Sequence, residues 1–311
     1  MRELDAIEFR AMGSAMRAIV DASPVAATRA LVQVPSWFET WEHMMSRFRP
    51  DSELSRVNAE SGRWVHVSSG LCEVIGVALD AARSTEGLVD PTLLDAMLAA
   101  GYDRTFEELE PNTGSLAAPS SMDGSGWWDI ICDPALELVY VPPGVRFDLG
   151  GIGKGWAADR AAEQLAPVGP ALVDAGGDIA VSGPPVEGEG WPISVTDPRD
   201  PSGETSLMTL KVAQGGVATS GKDFRRWTRH GQTMHHIMDP KTRRPAETDA
   251  LTATVIAQSA IEAEAAAKAS LIQGVSQGLA WLEARPAVAG LIVSESGRVV
   301  MTSNLKPFVW S

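Results

Sequence analysis

Residues 148–159 read Asp-Leu-Gly-Gly-Ile-Gly-Lys-Gly-Trp-Ala-Ala-Asp, with glycine at positions 150, 151, 153 and 155 and a lysine among them. Apolar residues ahead of the glycines and an alanine-rich run behind them predict a strand that turns sharply into a helix. Glycine lets the backbone approach a ligand closely, and the free N–H groups of a helix start favour an anion. Lys154 adds a point charge suited to phosphate. The same residues also suit a tight strand-to-helix turn with a solvated lysine. Two nucleotide-binding patterns fail on this stretch. Positions 153–158 fit a loose GxGxxA form, but the flanking chain lacks repeated βαβ units. A P-loop is ruled out because no Ser or Thr follows Lys154.

With 311 residues, 44% of them hydrophobic and 21% charged, the chain can bury a sizeable core. Its formal net charge of -14 argues against a nucleic-acid polymer or an anionic membrane surface as partner, because either needs a positive field. A small anionic ligand in one local site remains compatible with it. No run of 18 apolar residues occurs, so no membrane span is expected. The first residues, MRELDAIEFRAMGSAM, lack the apolar core of a signal peptide, and a cytoplasmic location is expected. Cys72 and Cys132 allow one disulfide but no disulfide scaffold or zinc cluster. Cys72, in the apolar stretch 71–79, reads as a small buried hydrophobe.

Along the chain, residues 7–20 suggest an opening strand pair around Met12-Gly13-Ser14. Residues 36–48 carry a helical apolar stripe, with Ser36 and Glu39 placed for a capping box, and Arg49-Pro50 breaks it. A second helix is expected over 71–82. Residues 103–126, rich in Pro, Ser, Gly and Glu, read as a loop or insertion. Strands are expected at 137–141, 145–149, 171–174, 179–182, 191–196, 206–212 and 251–257. Helices follow from Lys154 to Gly169, over 259–272 and near 279–283, before a closing hairpin of 288–293 with 298–302. Strand clusters with few helices predict an α+β fold.

Two further constellations carry chemistry. A turn at Ala218-Thr-Ser-Gly221 is followed by His235-His236-Ile237-Met238-Asp239-Pro240. The histidines and Asp239 suit a general base with an orienting carboxylate, or simply a capped loop. Adjacent histidines do not suit metal ligation on one helix, which prefers a spacing of four. Glu264 and Lys268 are four apart with Glu first, a favourable helix pair. On composition alone that pair reads as solvated, worth about 0.3–0.5 kcal/mol.

Taken in order, these segments resemble the FAD:protein FMN transferases, the ApbE-like flavin transferases. Met12-Gly13-Ser14 is similar to the family's MGT element, and residues 45–58 (MSRFRPDSELSRVN) to its helix-exit motif. Gly87-Leu-Val-Asp-Pro-Thr92 resembles GxFDPT, and residues 98–102 the short G-F/Y turn after it. Residues 148–159 match DLGGIxKGxAxD, and 172–183 match LVxxGGDIxxxG. Ala218–Gly221 and His235–Pro245 resemble ATSG and HHIxDPxTGxP. The resemblance implies a single ApbE-like (T-fold-like) α+β domain over 1–311, with mostly antiparallel sheets and packed helices. It also implies a magnesium-dependent flavin enzyme that splits FAD, moves FMN onto a Ser or Thr of a partner protein and releases AMP. By motif, Met12, Phe48, Asp90, Pro91, Thr92, Gly151, Lys154, His236 and Ile237 would hold FAD. His236, Asp239 and Lys154 would carry the chemistry, His236 as base near the acceptor hydroxyl.

The departures concentrate on one helix. The family's metal helix reads roughly E-A-D-A-x-A-T, where this chain has Glu262-Ala-Glu264-Ala-Ala-Ala-Lys268. The implied magnesium ligands are then Gly151 through its carbonyl, Glu264 in place of Asp, and position 268, where Lys268 replaces Thr and puts an ammonium at a cation's place. That substitution keeps a second function open: a non-catalytic FAD-binding protein, or an FAD pyrophosphatase, with a degenerate magnesium site. Phe48 stands where Tyr is usual, as does Phe224. Arg243 replaces the glycine of the TG step, so either that turn differs or Arg243 and Arg244 face an anion.

Overall fold

The computed structural model describes residues 4–109, 126–229 and 231–310. The chain divides into two compact units, one comprising Met1–Glu39, Lys154–Asp223 and Thr248–Ser311, the other Thr40–Gly153 and Phe224–Glu247. Elements are numbered below in chain order.

The first unit is built on an eight-stranded sheet whose neighbours are all antiparallel. Its order is β1 (Ala6–Ala11), β2 (Ser14–Val20), β6 (Ala171–Ala175), β7 (Asp178–Val181), β10 (Gly215–Gly221), β15 (Ala250–Ala257), β16 (Ala289–Ser294) and β17 (Val299–Met301). A separate pair, β8 (Trp191–Thr196) with β9 (Ser206–Val212), packs on the sheet through alternate residues. Trp191, Ile193 and Val195 meet Leu210, Val212, Val217, Ile256 and Leu291 in one apolar cluster. The helix α7 (Ala260–Glu283) lies along β10, β15 and β16, burying Ala263, Ala266, Ala267 and Leu271. Nearly all of β15 is buried, so its sequence ALTATVIA runs apolar and β-branched without alternation. Small residues permit that closeness: a Cβ at Gly216 would collide with the backbone of Ala260. The helices α1 (Pro24–Leu31), the start of α2 (Val34–Met45) and α6 (Gly153–Leu165) from Lys154 onward complete the unit.

The second unit carries α3 (Glu53–Ala59), α4 (Ser69–Ser84) and α5 (Leu94–Ala99). Beside them is a three-stranded antiparallel sheet in the order β3 (Trp64–His66), β5 (Leu138–Tyr140), β4 (Ile131–Asp133). Two small hairpins follow, β11 (Arg226–Arg229) with β12 (Gln232–His235) and β13 (Met238–Asp239) with β14 (Arg244–Pro245). Leu93, Ala96, Ala100 and Met238 form a small core with Met97 and Trp227 packed against it.

The mixed class and the mostly antiparallel sheets agree with the sequence reading. Several local expectations are corrected. Pro35 fits the first turn of a helix, so α2 starts at Val34 and Ser36 lies inside it. There the Ser36 hydroxyl donates to the Gln33 carbonyl at 2.7 Å, so Ser36 is not the N-cap that the expected box with Glu39 required. Ser52 caps α3, a helix with no expectation behind it, by accepting from Ser55 N–H at 2.9 Å. Residues 145–149 join no sheet, and the Asn58 amide instead takes the backbone N–H and C=O of Phe147 at 2.6 and 2.9 Å. Ala218–Gly221, expected as a turn, belong to the interior strand β10. By contrast, the expected break between helices 259–272 and 279–283 is present, at Gly274, whose φ of 82° is left-handed. Cys72 is buried as expected and is bonded to Cys132, with Cα atoms 6.3 Å apart. Most of the expected 103–126 loop, residues 110–125, lies outside the described residues. No helix among the described residues is long and apolar enough to cross a membrane.

Asn58 substitutes a side chain for a missing strand partner. Asn58→Ala leaves two Phe147 backbone groups unsatisfied, and a loss of about 2–3 kcal/mol is expected in urea denaturation at an unchanged slope.

Candidate functional site

In the first unit the β6–β7 connection is the dipeptide Gly176-Gly177, with φ of 69° and 94°. Both values are left-handed, as a two-residue hairpin turn requires. Asp174 accepts from Gly177 N–H at 2.8 Å, fixing the turn. The turn delivers Asp178 to the head of β7, where it is 2% exposed. Lys154, in the first turn of α6, sets its ammonium on the Asp178 carboxylate. One residue later, Gly155 N–H donates to Glu264 Oε2 at 3.1 Å. Lys268, one turn along α7, holds its Nζ 3.6 Å from Glu264 Oε1. A Cβ at Gly155 would sit 2.9 Å from Glu264 Oε2 and 3.0 Å from the Ala260 backbone, so glycine alone lets α6 cross α7 this closely.

Three elements thus bring together two acids and two bases. Glu264 is 4% exposed, so the pair that composition reads as solvated is buried. Burial, and then the negative charge of Glu264, push the Asp178 carboxyl up to about 7 against the pull of Lys154 and Lys268. Burial also raises Asp174, opposed by its bond from Gly177 and by Lys154. Below the cluster, Asp159 of α6 accepts from the first N–H groups of α7, Ala260 at 2.8 Å and Ile261 at 3.0 Å. Burial nevertheless pushes its carboxyl up to about 6. Met12 lies in the two-residue β1–β2 turn, whose Ser14 packs against Gly176 of the β6–β7 turn, with a φ of 48° that is uncommon for a side-chain-bearing residue.

The second unit holds a different set. Asp90 Oδ1 accepts from Thr92 N–H at 2.7 Å and from the Thr92 hydroxyl at 2.6 Å, tying the Asp-Pro-Thr turn. The Pro91 carbonyl takes Asp148 N–H at 2.8 Å, which joins that turn to the start of the glycine run. Asp148 in turn receives Gly150 N–H at 2.6 Å and Arg47 Nε at 2.9 Å, just ahead of Gly151. Arg47 also donates to the Tyr102 carbonyl at 2.9 Å and lies 4.1 Å from the centroid of the Phe48 ring. Phe48, Tyr102 and Trp227 form a chain of rings with centroids 5.9 and 5.5 Å apart, and Phe48 is 38% exposed. His236 occupies the bend between β12 and β13, ahead of buried Ile237, whose carbonyl accepts from Ala246 at 2.9 Å. Asp239 Oδ1 accepts from Lys241 N–H at 2.9 Å, so that carboxylate shapes the β13–β14 turn. Arg243 keeps this turn by adopting the glycine-like φ of 54°. Burial raises the Asp90 carboxyl, opposed first by its two bonds from Thr92 and then by the charge of Arg243.

The sequence model of the ApbE family matches residues 12–292. The chain belongs to the ApbE family. Among curated relatives, the FAD:protein FMN transferase of Salmonella typhimurium is 27% identical over 268 residues, covering 83% of this chain and 75% of the relative. That of Treponema pallidum is 27% identical over 306 residues, covering 89% and 80%. The crystal structure of the ApbE protein of Thermotoga maritima superposes with a TM-score of 0.87 at 27% identity, covering 99% of this chain and all of that one. The flavin transferase ApbE of Vibrio cholerae gives 0.78 at 24% identity and supports the fold, covering 98% of this chain and all of that one.

Within this ApbE-family chain, Lys154, Glu264 and Lys268 converge in the first unit. Asp90, Pro91 and Thr92 are bound to the start of the glycine run in the second, as are His236, Ile237 and Asp239 to their hairpin. Sequence reasoning missed Asp178 and Arg47 as site residues. A signal for Asp178 was present, since an acid directly after Gly-Gly at a strand start is displayed by the turn. Arg47 gave none, because its ion pair with Asp148 depends on a distant segment. The family implies magnesium, but the first-unit residues do not fit it. Glu264 is occupied by Gly155 N–H and an ammonium, and an ammonium has no lone pair to offer a metal. Among the described residues no group of three or more His, Cys, Asp or Glu is placed to hold an ion.

The Asp159 shift has a definite sign. Its folded carboxyl titrates near 6 against 3.8 for an ordinary one, so the folded state holds the proton more tightly between those values. Its contribution is therefore present below pH 4 and lost as the pH rises through 6. Relative to Asp159→Asn, the protein should lose about 2–3 kcal/mol of stability between pH 4 and 6.5. Urea denaturation of both proteins across that range measures the difference, and a flat or rising one contradicts the assignment.

Proposed function

We propose that this chain is an FAD:protein FMN transferase, which moves FMN from FAD onto a Ser or Thr hydroxyl of a partner protein and releases AMP. The observation that carries the proposal is the family match across residues 12–292, and it is supported by the bonds described above that hold the glycine run at Gly150, Lys154 and Asp90-Pro91-Thr92. In the reaction the acceptor oxygen attacks the phosphorus carrying the flavin, the bridging P–O bond to AMP breaks, and the hydroxyl proton passes to a base. Such transfers depend on positioning and on neutralising phosphate charge more than on covalent chemistry. Lys154 supplies fixed positive charge, and His236 is the base, with Asp239 shaping its hairpin. Met12, Phe48, Asp90, Pro91, Thr92, Gly151 and Ile237 are proposed to hold FAD. The exposed ring of Phe48, backed by Tyr102 and Trp227, offers a stacking face for a planar group of FAD.

The purified chain, FAD and an acceptor domain, followed for AMP and for protein-bound flavin, test the proposal. Covalent flavin with equimolar AMP is expected. AMP with free FMN would make the chain a pyrophosphatase, and intact bound FAD would make it a non-catalytic flavin carrier. His236→Ala should lower the transfer rate by about 10²–10⁴-fold, more than it weakens FAD binding, as loss of a general base does.

A further inference from the structure

Lys268 is the feature that sets the first-unit cluster apart. Glu264 and Asp178 reach it from α7 and β7, and each carboxylate already faces an ammonium, Lys268 at 3.6 Å and Lys154 in a direct ion pair. Asp178 also feels Glu264 and Lys268 across the cluster, so the four groups act as one electrostatic set. Each of the two carboxylates is matched by an ammonium, and nearby Asp174 also draws on Lys154. A divalent ion added here would bring two further positive charges beside Lys268, where burial leaves little water to screen the repulsion. It would also compete for Glu264 with the Gly155 N–H, which is buried in the α6–α7 crossing. Magnesium demands near-octahedral oxygen ligation at short distance, and Lys268 contributes no oxygen.

We propose that Lys268 is the resident cation of this cluster, its ammonium neutralising Glu264 as Lys154 neutralises Asp178, so that the chain takes no divalent metal there. The positive charge is covalently attached and cannot be removed by chelation. Within the transferase reading, on which only this consequence rests, Lys154 and Lys268 together supply the fixed positive charge for the phosphates of FAD. Position 268 then decides metal dependence: an oxygen-bearing side chain opens the cluster to a divalent ion, and lysine closes it.

The test does not require turnover. Thermal unfolding of the full chain is followed in EDTA and in millimolar magnesium chloride, with magnesium titrated into the wild-type protein by calorimetry. The wild type should show neither a saturable rise in Tm nor binding heat. Lys268→Thr, which uncovers Glu264, should melt lower in EDTA and regain several degrees as magnesium saturates it. The pair Lys268→Met with Glu264→Gln removes both charges and should be insensitive to magnesium. Saturable magnesium binding to the wild type that Glu264→Gln abolishes would overturn the proposal, as would a folded Lys268→Thr protein that ignores magnesium. Should Lys268→Thr fail to fold, the wild-type titration decides alone. A chain that transfers no flavin but gives these magnesium results refutes the transferase reading and leaves the resident cation standing.

Discussion

One hydrogen bond, from Gly155 N–H to the buried Glu264 carboxylate, organises the first unit. It forms at the closest approach of α6 and α7, where no side chain fits, and it fixes the register of one helix on the other. Asp159 repeats the connection one helical turn later by accepting from the first N–H groups of α7. Because α7 lies along β10, β15 and β16, the position of Glu264 is set by the sheet, and Lys154 is delivered to Asp178 by the same crossing. A carboxylate so placed is costly unless matched: removing one partner of a buried pair destabilises by about 3–5 kcal/mol. The Lys268 ammonium is therefore a structural necessity of this sequence before it is anything chemical.

The second unit solves its positioning problem with different means. Arg47 is the hub there, holding Asp148 with its guanidinium, donating to the Tyr102 carbonyl and lying against the Phe48 and Tyr102 rings. Through Asp148 it braces both the glycine run and, by the Pro91 carbonyl, the Asp-Pro-Thr turn. A guanidinium can do this because its planar fork donates in several directions at once and stacks on aromatic faces. The two units thus differ in electrostatic style, one built around ammonium–carboxylate balance and the other around one stacked arginine.

What the sequence disclosed follows from the range of each interaction. The strands 191–196, 206–212 and 251–257 were legible because burial on one or both faces writes itself into local apolar pattern. The break at Gly274 was legible as two helices for the same reason. β10 was not, since Gly-Gly-Val-Ala-Thr-Ser-Gly has turn composition and is a strand only because α7 leaves room for nothing larger. Residues 145–149 looked like a strand, and only the distant Asn58 amide takes the place of a partner. Motif spacing singled out candidate positions, whereas the burial of Glu264 and Lys268 depends on a helix crossing that no local spacing encodes. A left-handed Arg243 is equally invisible, because substitution of a glycine ordinarily signals that the turn has changed.

The strand order has a consequence for synthesis. From β1 to β17 the large sheet grows at one margin, each strand of that sheet adding beside the one made before it. After β10 emerges from the ribosome, residues of the second unit follow before β15 arrives. Until then β10 is a bare margin with no α7 to cover it, lined by small residues that resist pairing weakly. A nascent chain stalled in that interval displays an open strand edge, the form most prone to join another chain.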